Sequence, residues 1–276
     1  MNIDAHQHFW IYNPVKDSWI DDSMKMLRKN FLPEDLFPLL KKNNIDGTVA
    51  VQADQSEEET NFILGLAEKN PWILGVVGWV NLKDKNADSR IEHFSHYKKL
   101  KGFRHIVQAE PDENFMLGEG FMRGINFLKS FNFTYDILIY PKQLPSAIKV
   151  SEKHPEQKFV LDHIAKPNIK DGIFEPWAAG IKELASNKNV YCKLSGLITE
   201  ADHKNWKQED IYPFLDVVFN AFGYDRLLFG SDWPVCLLAG SYSRVKNLIL
   251  NYLLNTTLEN REKIFGGNAR IFYNIN

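Results

Sequence analysis

Short apolar runs recur along the chain at intervals that suit buried β-strands. Each run has seven or eight residues and is rich in β-branched or aromatic side chains, a composition typical of strands. The runs are "NIDAHQHF" from Asn2, "DGTVAVQ" from Asp46, "ILGVVGWV" from Ile73, "KGFRHIV" from Lys101, "TYDILIY" from Thr134, "KFVLDHI" from Lys158, "VYCKLSG" from Val190 and "RLLFGSDW" from Arg226. The pattern predicts eight buried strands.

Stretches with helix boundary signals lie between these runs. Pro33 begins the first stretch, and Ser56 with Glu59 predicts a capping box at the start of another. The stretch "QEDIYPFLDVVFNAFG" is predicted to end at Gly223, because glycine commonly follows the last turn of a helix.

A last helix is predicted to open on a second capping box, Thr256 with Glu259, and to stop at Gly266 and Gly267. Strand and helix therefore alternate throughout, without a linker, repeat or low-complexity break. This alternation predicts one α/β domain, residues 1–276, folded as a (β/α)8 barrel. An open doubly wound sheet is the alternative, but it usually carries a phosphate-binding fingerprint, and no G-x-G-x-x-G or P-loop motif is present.

Composition narrows the classes of function. Hydrophobic residues make up 44% and charged residues 25% of the chain, the ordinary balance of a globular protein. A formal net charge of -2 gives no basic surface for nucleic acid or for a membrane. The apolar runs are too short to span a bilayer, and only two cysteines occur, so a soluble cytoplasmic protein with small-molecule partners is expected. The oligomeric state stays open.

A barrel places its functional side chains at the C-terminal ends of its strands, and polar groups collect at these positions. They are His8 in the first run, Gln52 in the second, Trp79 in the third, Arg104 and His105 in the fourth, His163 in the sixth, Lys193 and Ser195 in the seventh and Asp232 in the eighth. We therefore expect a site at the barrel mouth.

His6 and His8 stand two positions apart in the first run, so both side chains face the same side of a strand. At the mouth they would offer two nitrogen ligands to a divalent metal, or bind a substrate oxygen. Two hydrogen-bonded core histidines are the alternative. Asp4 has the same phase and is expected to accept a hydrogen bond behind them.

Asp232 ends an apolar run and would deliver a carboxylate to the same mouth. There it would take a proton from water or bind the metal. Alternatively, it caps the next helix beside Pro234. His163 ends its own run in the same way, although a lone histidine in such a place is commonly structural.

Seven further side chains are candidates for substrate binding. Arg104 and His105 alternate in direction, so at most one of them is expected to face the centre. Lys193 interrupts an apolar strand, which is costly unless its amine is paired or reaches the mouth; a snorkelling lysine is the alternative. Tryptophan faces suit a sugar ring, with plain core packing as the alternative. The seven are Arg104, His105, Lys193, Gln52, Trp10, Trp79 and Trp233.

The segment between His8 and Pro33 is long for a loop in a compact domain and is predicted to be a lid. The four remaining histidines are predicted to be surface residues outside the site: His93, His96, His154 and His203.

Five segments together carry a family resemblance. They are "DAHQHFW" from Asp4, "KGFRH" from Lys101, "LDHIAKP" from Leu161, "KLSGL" from Lys193 and "LLFGSDWPV" from Leu227. In combination they resemble the amidohydrolase superfamily, and most closely its lactonase branch, over essentially the whole chain. The resemblance implies a distorted (β/α)8 TIM barrel that hydrolyses a lactone. Motif by motif, it assigns His6 and His8 to the first-strand pair, His163 to the sixth-strand histidine and Asp232 to the aspartate that activates water.

One departure from the family pattern concerns the number of metals. Many members bridge two ions through a lysine or glutamate late in the fourth strand, where this chain has Arg104 and His105, and "TYDILIY" lacks the fifth-strand histidine. A binuclear site is therefore not expected. Two alternatives remain: no metal, or one divalent ion, zinc, bound by His6, His8 and Asp232 with His163 as a further ligand.

The predicted reaction is attack of water, activated by Asp232, on a lactone carbonyl, followed by return of the proton to the leaving alkoxide. Arg104 is the one evident strand-end arginine, with Arg123 and Arg244 available from loops, so a neutral sugar lactone is favoured over a dicarboxylate. The resemblance points to the L-fucono or L-rhamnono type. A 2-pyrone-4,6-dicarboxylate-type lactonase, a metal-dependent decarboxylase of the same superfamily and a non-catalytic sugar-binding barrel are the alternatives.

Overall fold

Each of the eight apolar runs coincides with one strand, although the fourth strand begins one residue before its run. A computed structural model describes residues 1–275; residue 276, the last of the predicted domain, lies outside the described residues. The strands are parallel and follow one another in chain order in a single sheet. They are β1 (Ile3–Gln7), β2 (Gly47–Val51), β3 (Ile73–Gly78), β4 (Leu100–His105), β5 (Thr134–Ile137), β6 (Phe159–Leu161), β7 (Val190–Leu194) and β8 (Leu227–Phe229).

Backbone contacts between the two ends of this strand order close the sheet. The N–H of His8 donates to the carbonyl of Trp233 at 2.7 Å, and the N–H of Asp232 donates to the carbonyl of His6 at 2.8 Å. Register shifts interrupt the pairing of β1 with β2, of β2 with β3 and of β3 with β4. The fold is therefore the distorted (β/α)8 barrel that the sequence predicts.

Helices alternate with the strands and cover the outside of the barrel. Within residues 1–275 they are α1 (Pro33–Lys42), α2 (Glu57–Lys69), α3 (Ala87–Ser95), α4 (Glu119–Ser130), α5 (Leu144–Lys153), α6 (Trp177–Ser186), α7 (Gln208–Phe222), α8 (Tyr242–Tyr252), α9 (Leu258–Glu262) and α10 (Asn268–Phe272). The predicted boundaries at Pro33 and Gly223 are confirmed. None of the helices in this range has the length and apolar character that crossing a membrane requires.

The predicted capping box at α2 forms only in part. The hydroxyl of Ser56 accepts the N–H of Glu59 at 3.2 Å, as expected. The Glu59 carboxylate does not return to the helix start; it accepts the N–H of Ala53 at 3.2 Å and the amine of Lys16 at 2.7 Å. An ion pair with another segment thus replaces the second half of the box.

The prediction for the last helix is wrong at both ends. Its cap is Thr257 instead of Thr256, and the chain does not stop at Gly266 and Gly267 but passes through a π-helical turn into α10. Close packing explains Gly266, because a Cβ there would lie 2.1 Å from the carbonyl oxygen of Met1. The glycine permits this close approach and does not end the helix.

Residues of α10 and those after it close the barrel at the end where β1 starts. Phe272, Tyr273 and Ile275 pack against apolar side chains of five strands. These side chains are Ile3, Ala5, Val49, Val51, Val77, Val160 and Leu228. We call residues 268–275 the plug, since they cover the interior at the end opposite the site.

Candidate active site

Two of the predicted strand-end residues lie two or more residues beyond their strands. Because β6 ends at Leu161 and β8 at Phe229, His163 and Asp232 follow by two and three residues. Both have a left-handed backbone, with φ of 53° and 57°. Such a conformation is costly for a residue other than glycine and is frequent at functional sites.

Four buried side chains converge above the strand ends. The Nε2 atoms of His6 and His8 lie 3.1 Å apart. From Oδ1 of Asp232 the distances are 3.4 Å to His8 Nε2, 3.8 Å to His6 Nε2 and 4.0 Å to His163 Nε2. The structure thus brings together the residues that the sequence assigns to the catalytic and metal-binding roles.

Neighbouring groups set the orientation of the histidine rings. His8 donates from Nδ1 to the carbonyl of Val51 at 2.7 Å, which directs its Nε2 toward Asp232. His163 Nδ1 lies 2.9 Å from the hydroxyl of Ser195. Gly196 makes room for that ring: its φ is +64°, and a Cβ there would lie 2.6 Å from His163 Nδ1.

Asp4 does not accept from the imidazoles, contrary to expectation. A register shift lies between Asp4 and Gln7 and changes the alternation of side chains along β1. The Asp4 carboxylate accepts the N–H of Ser231 at 2.9 Å, the N–H of His6 at 3.1 Å and the hydroxyl of Tyr242 at 2.9 Å. It therefore fixes the backbone on both sides of the barrel closure.

The donor set fits one divalent ion. His6, His8 and Asp232 each offer a ligand atom, all within 4.8 Å of one another. Tetrahedral zinc with bonds near 2 Å needs ligand atoms roughly 3.3 Å apart, close to the 3.1, 3.4 and 3.8 Å found here. A second group consists of His6, Asp162 and His163. It is less suited to a metal, because ion pairs already engage the Asp162 carboxylate.

These ion pairs join four buried residues beneath the histidines. We call them the charged cluster: Arg104, Asp136, Asp162 and Lys193. Lys193 Nζ lies 3.0 Å from His6 Nδ1 and 3.0 Å from Asp162 Oδ1, and it also donates to Asp136. Arg104 Nη1 donates to Asp162 Oδ2 at 3.0 Å. Two carboxylates and two cations therefore balance in a region without solvent, as buried charges require.

Burial and these charges set the protonation of the site. Burial lowers the pKa of His163 to about 4 and, together with Lys193, holds the pKa of His6 well below its usual range. Burial acts to raise the pKa of Asp232, but His163, His8 and His6 outweigh it, so that the pKa lies below its ordinary value. His6 and His163 are therefore neutral, and Asp232 ionised, near pH 7.

A cavity of about 530 Å³ opens above the four converging residues. Its apolar wall consists of Trp10, Trp19, Met24, Ile106, Leu138, Val235 and Leu238. Its polar wall includes Gln55, Gln108, Lys166, Thr199, Glu200 and His203. Trp10, Trp19 and Met24 belong to the lid, residues 9–32, which is tied together by an antiparallel bridge between Trp10 and Phe31.

Of the seven predicted substrate-binding residues, Trp10 and Arg104 line the cavity. The other five do not, and the prediction of direct substrate contact is corrected for them. Gln52 donates to the carbonyl of Arg104 at 3.1 Å. Lys193 is fully buried within the charged cluster, so it neither reaches the mouth nor snorkels. Trp233 is buried against Phe31.

His105 and Trp79 form a separate contact outside the cavity. Trp79 donates from its indole nitrogen to His105 Nδ1 at 3.2 Å, and His105 Nε2 lies 2.7 Å from Glu110. Strand alternation explains this position, because Arg104 faces the barrel centre and its neighbour His105 therefore faces away. The expectation that at most one of the two is central is confirmed.

Sequence reasoning did not find the polar wall. Lys166 and Glu200 lie on loops after β6 and β7, with Lys166 Nζ 3.9 Å from Glu200 Oε1. His203, expected to be exposed and outside the site, is exposed at the cavity rim, whereas His154 is buried. The usable signal is position, since charged residues in loops that follow strand C-termini face a barrel mouth.

A (β/α)8 barrel with two first-strand histidines, a further histidine and an aspartate around one point defines a class of hydrolytic barrel enzymes. The chain belongs to the amidohydrolase family, whose model matches residues 3–275.

Similar proteins cover nearly the whole chain. An L-fucono-1,5-lactonase from Burkholderia multivorans is 37% identical over 99% of this chain and 96% of its own. An L-fucono-1,5-lactonase from Burkholderia ambifaria is 34% identical over 99% of this chain and 95% of its own. A crystal structure of an amidohydrolase from Burkholderia multivorans with bound Zn has a TM-score of 0.96 and 37% identity, with both chains fully covered.

Proposed function

We propose that this protein hydrolyses a neutral sugar lactone of the L-fucono-1,5-lactone class. The observation that carries the proposal is the convergence of His6, His8, His163 and Asp232 on one point beneath a cavity large enough for a six-carbon sugar lactone. The similarity to two L-fucono-1,5-lactonases supports the substrate class.

The charge distribution of the cavity favours a neutral substrate over a dicarboxylate. Arg104 is already paired with Asp162, and Lys166 has Glu200 as its neighbour. Arg104 is therefore not free to form a bidentate pair with a substrate carboxylate, and the charge of Lys166 is partly balanced by Glu200. The amide side chains of Gln55 and Gln108 can pair with ring hydroxyls, and the Oε1 atom of Gln108 is buried without a hydrogen-bond partner among residues 1–275.

Asp232 acts as the general base. Its ionised carboxylate takes a proton from a water molecule while the water oxygen adds to the lactone carbonyl carbon. The ring C–O bond then breaks, and Asp232 returns the proton to the leaving alkoxide. One water is consumed, and the product is an open-chain hydroxy acid, which releases a proton at neutral pH.

His163 is placed to stabilise the developing oxyanion. When the hydroxyl of Ser195 donates to its Nδ1, the neutral ring carries its hydrogen on Nε2, the nitrogen nearer Asp232. A fixed N–H that is already oriented toward the reacting oxygen is an effective oxyanion donor. Arg104 Nη1, 3.4 Å from His6 Nε2, adds positive charge at the same point.

His6, His8 and Asp232 would hold a single zinc ion. When bound, zinc polarises a carbonyl oxygen and lowers the pKa of water. Because Arg104 and Lys193 engage the carboxylate of Asp162, we propose one ion and not two.

The test is turnover of a panel of lactones followed with a pH indicator, since ring opening releases one proton. L-Fucono-1,5-lactone is expected to give a higher kcat/KM than 2-pyrone-4,6-dicarboxylate. A preference for the dicarboxylate would contradict the neutral-substrate proposal. Carbon dioxide release from an unsaturated acid would indicate a decarboxylase, and binding of lactones without turnover would indicate a non-catalytic barrel. Parallel assays with and without a chelator measure the contribution of the metal.

A further inference from the structure

Tyr273 connects the plug to the charged cluster under the site. It follows α10, is 1% exposed, and donates its hydroxyl to Asp136 Oδ2 at 2.9 Å. Its ring lies 5.7 Å from the amine of Lys193. Tyr273 and Asp136 do not line the cavity, so neither touches a substrate.

The carboxylate of Asp136 is held through one oxygen alone. Lys193 and Tyr273 both donate to Oδ2, whereas Oδ1 is buried and has no hydrogen-bond partner among residues 1–275. A buried carboxylate with so few partners is sensitive to the loss of any one of them. The Tyr273 hydroxyl therefore decides how firmly Asp136 is fixed.

Asp136 in turn fixes the cation that meets His6. Lys193 Nζ is shared among Asp136, Asp162 Oδ1 and His6 Nδ1, the last two at 3.0 Å. His6 Nδ1 also lies 3.3 Å from Asp162 Oδ1. An ammonium can only donate, so Lys193 donates to this nitrogen. Asp162 Oδ1 has no hydrogen-bond partner of normal geometry among residues 1–275.

The contact with Lys193 fixes the orientation of the whole ring. With Nδ1 held against the amine, the opposite nitrogen, Nε2, lies 3.1 Å from His8 Nε2 and 3.8 Å from Asp232 Oδ1. Burial raises the pKa of Tyr273 well above its usual range, so its hydroxyl stays protonated and keeps donating.

We propose that Tyr273 is a positioning residue, which acts through Asp136 and Lys193 to hold the His6 ring with its Nε2 atom toward the site. The cluster then links the plug at one end of the barrel to the mouth at the other. The kinetic consequence rests on the proposed function, whereas the effect on the His6 ring does not.

The test is Tyr273→Phe in the full chain, which keeps the ring and removes the hydroxyl. Nitrogen-15 NMR of the histidines in metal-free protein is expected to show the Nδ1 and Nε2 resonances of His6 shifting from their wild-type positions. Affinity for zinc, measured by competition with a chromogenic chelator, is expected to fall roughly tenfold, the lower end of the effect of outer-shell partners. The kcat for the lactone should fall by a similar factor, with KM unchanged.

A double variant separates positioning from general stability. If Tyr273 acts through Asp136, adding Tyr273→Phe to Asp136→Asn changes kcat and the His6 resonances no further. Tyr191→Phe is the matched control, because that ring packs 4.9 Å from Phe272 at the same end of the barrel and lies outside the cluster. It should leave all three measurements unchanged.

Two results would overturn the proposal: His6 resonances that do not move in Tyr273→Phe, or additive effects in the double variant. If the His6 resonances move in Tyr273→Phe but the wild-type protein opens no lactone, the proposed function is refuted instead, because the NMR measurement needs no substrate.

Discussion

Asp232 combines the features of a general base at the scale of one residue. It is buried, ionised near pH 7, and within 4.0 Å of three imidazole nitrogens. Asp232→Asn keeps the shape and removes the proton acceptor, so kcat should fall by roughly 10²- to 10⁴-fold. Steady-state kinetics measure this, with Asp225→Asn as the control, since Asp225 is an exposed partner of Lys263. Near-normal turnover would make Asp232 merely structural.

Gly196 supports His163 without touching a substrate. An alanine there has an unfavourable left-handed backbone and a Cβ 2.6 Å from His163 Nδ1. Gly196→Ala is expected to displace the ring, lower kcat, and cost about 1–3 kcal/mol of unfolding free energy. Gly65→Ala is the control: its Cβ would meet open space on α2, and it should stabilise the protein by up to about 1 kcal/mol. Equal stability and kcat in the two variants would contradict this account.

The histidine pair and Asp232 were predictable from single positions, whereas the charged cluster was not. Asp136, Asp162 and Lys193 each interrupt an apolar run of the sequence, and only the register of β5, β6 and β7 shows that they pair. The overlooked signal is that opposite charges in neighbouring buried strands must compensate one another. The run that contains Lys193 left open whether its amine is paired or reaches the mouth, and it did not identify Asp136 and Asp162 as the partners.

At the scale of elements, the apolar pattern located all eight strands but not where they end. The run "KFVLDHI" continues beyond the end of β6 at Leu161. Its last residue, Ile164, and the next residue, Ala165, are still buried, but their backbone is left-handed instead of extended. Hydrophobic pattern reports burial, and it does not report a change of backbone dihedral. His163 consequently appeared to end a strand that stops two residues earlier.

The lid is a second element with a testable role. Lys16 of the lid pairs with Glu59 at the start of α2 at 2.7 Å, and with Asp54 at 3.5 Å. Lys16→Met removes the tie that holds this segment against the barrel, while Trp10 and Trp19 of the lid form part of the cavity wall. KM for the lactone should rise severalfold with a smaller change in kcat, because the loss is in substrate enclosure.

Lys129→Met is the matched control for this prediction. Lys129 pairs with Glu156 on the surface, and both side chains are more than half exposed, so its removal should change little. An unchanged KM in Lys16→Met, or an equal rise in both variants, would show that the lid needs no tie to α2.

At the scale of the whole molecule, the metal site couples to stability. His6, His8 and Asp232 come together only in the folded barrel, so zinc at 100 times its Kd should add about 2.7 kcal/mol of stability. A rise of several degrees in Tm is expected for chelator-treated protein on addition of zinc, measured by thermal unfolding. His8→Ala should abolish the rise, and magnesium, which prefers oxygen ligands, should not reproduce it. An equal zinc effect in His8→Ala would place the ion elsewhere.

The barrel class was predictable because strand count and alternation limit the topologies that remain. The residues that line the cavity were not predictable, since they depend on how the loops after different strands meet. Lys166 and Glu200 lie on different loops and are 34 positions apart in the sequence. They come into contact only because β6 and β7 are neighbours in the barrel.

The closure between β1 and the segment after β8 implies an order for the steps of folding. His8 and Trp233, like His6 and Asp232, are joined by backbone hydrogen bonds across more than 200 positions. Such contacts have the largest loop-closure entropy and form late in folding. A nascent chain emerging from the ribosome can therefore form its early strand and helix pairs while the site does not yet exist. During refolding, activity should appear after helical content has been regained. The rate at which turnover returns therefore measures the last step of barrel assembly.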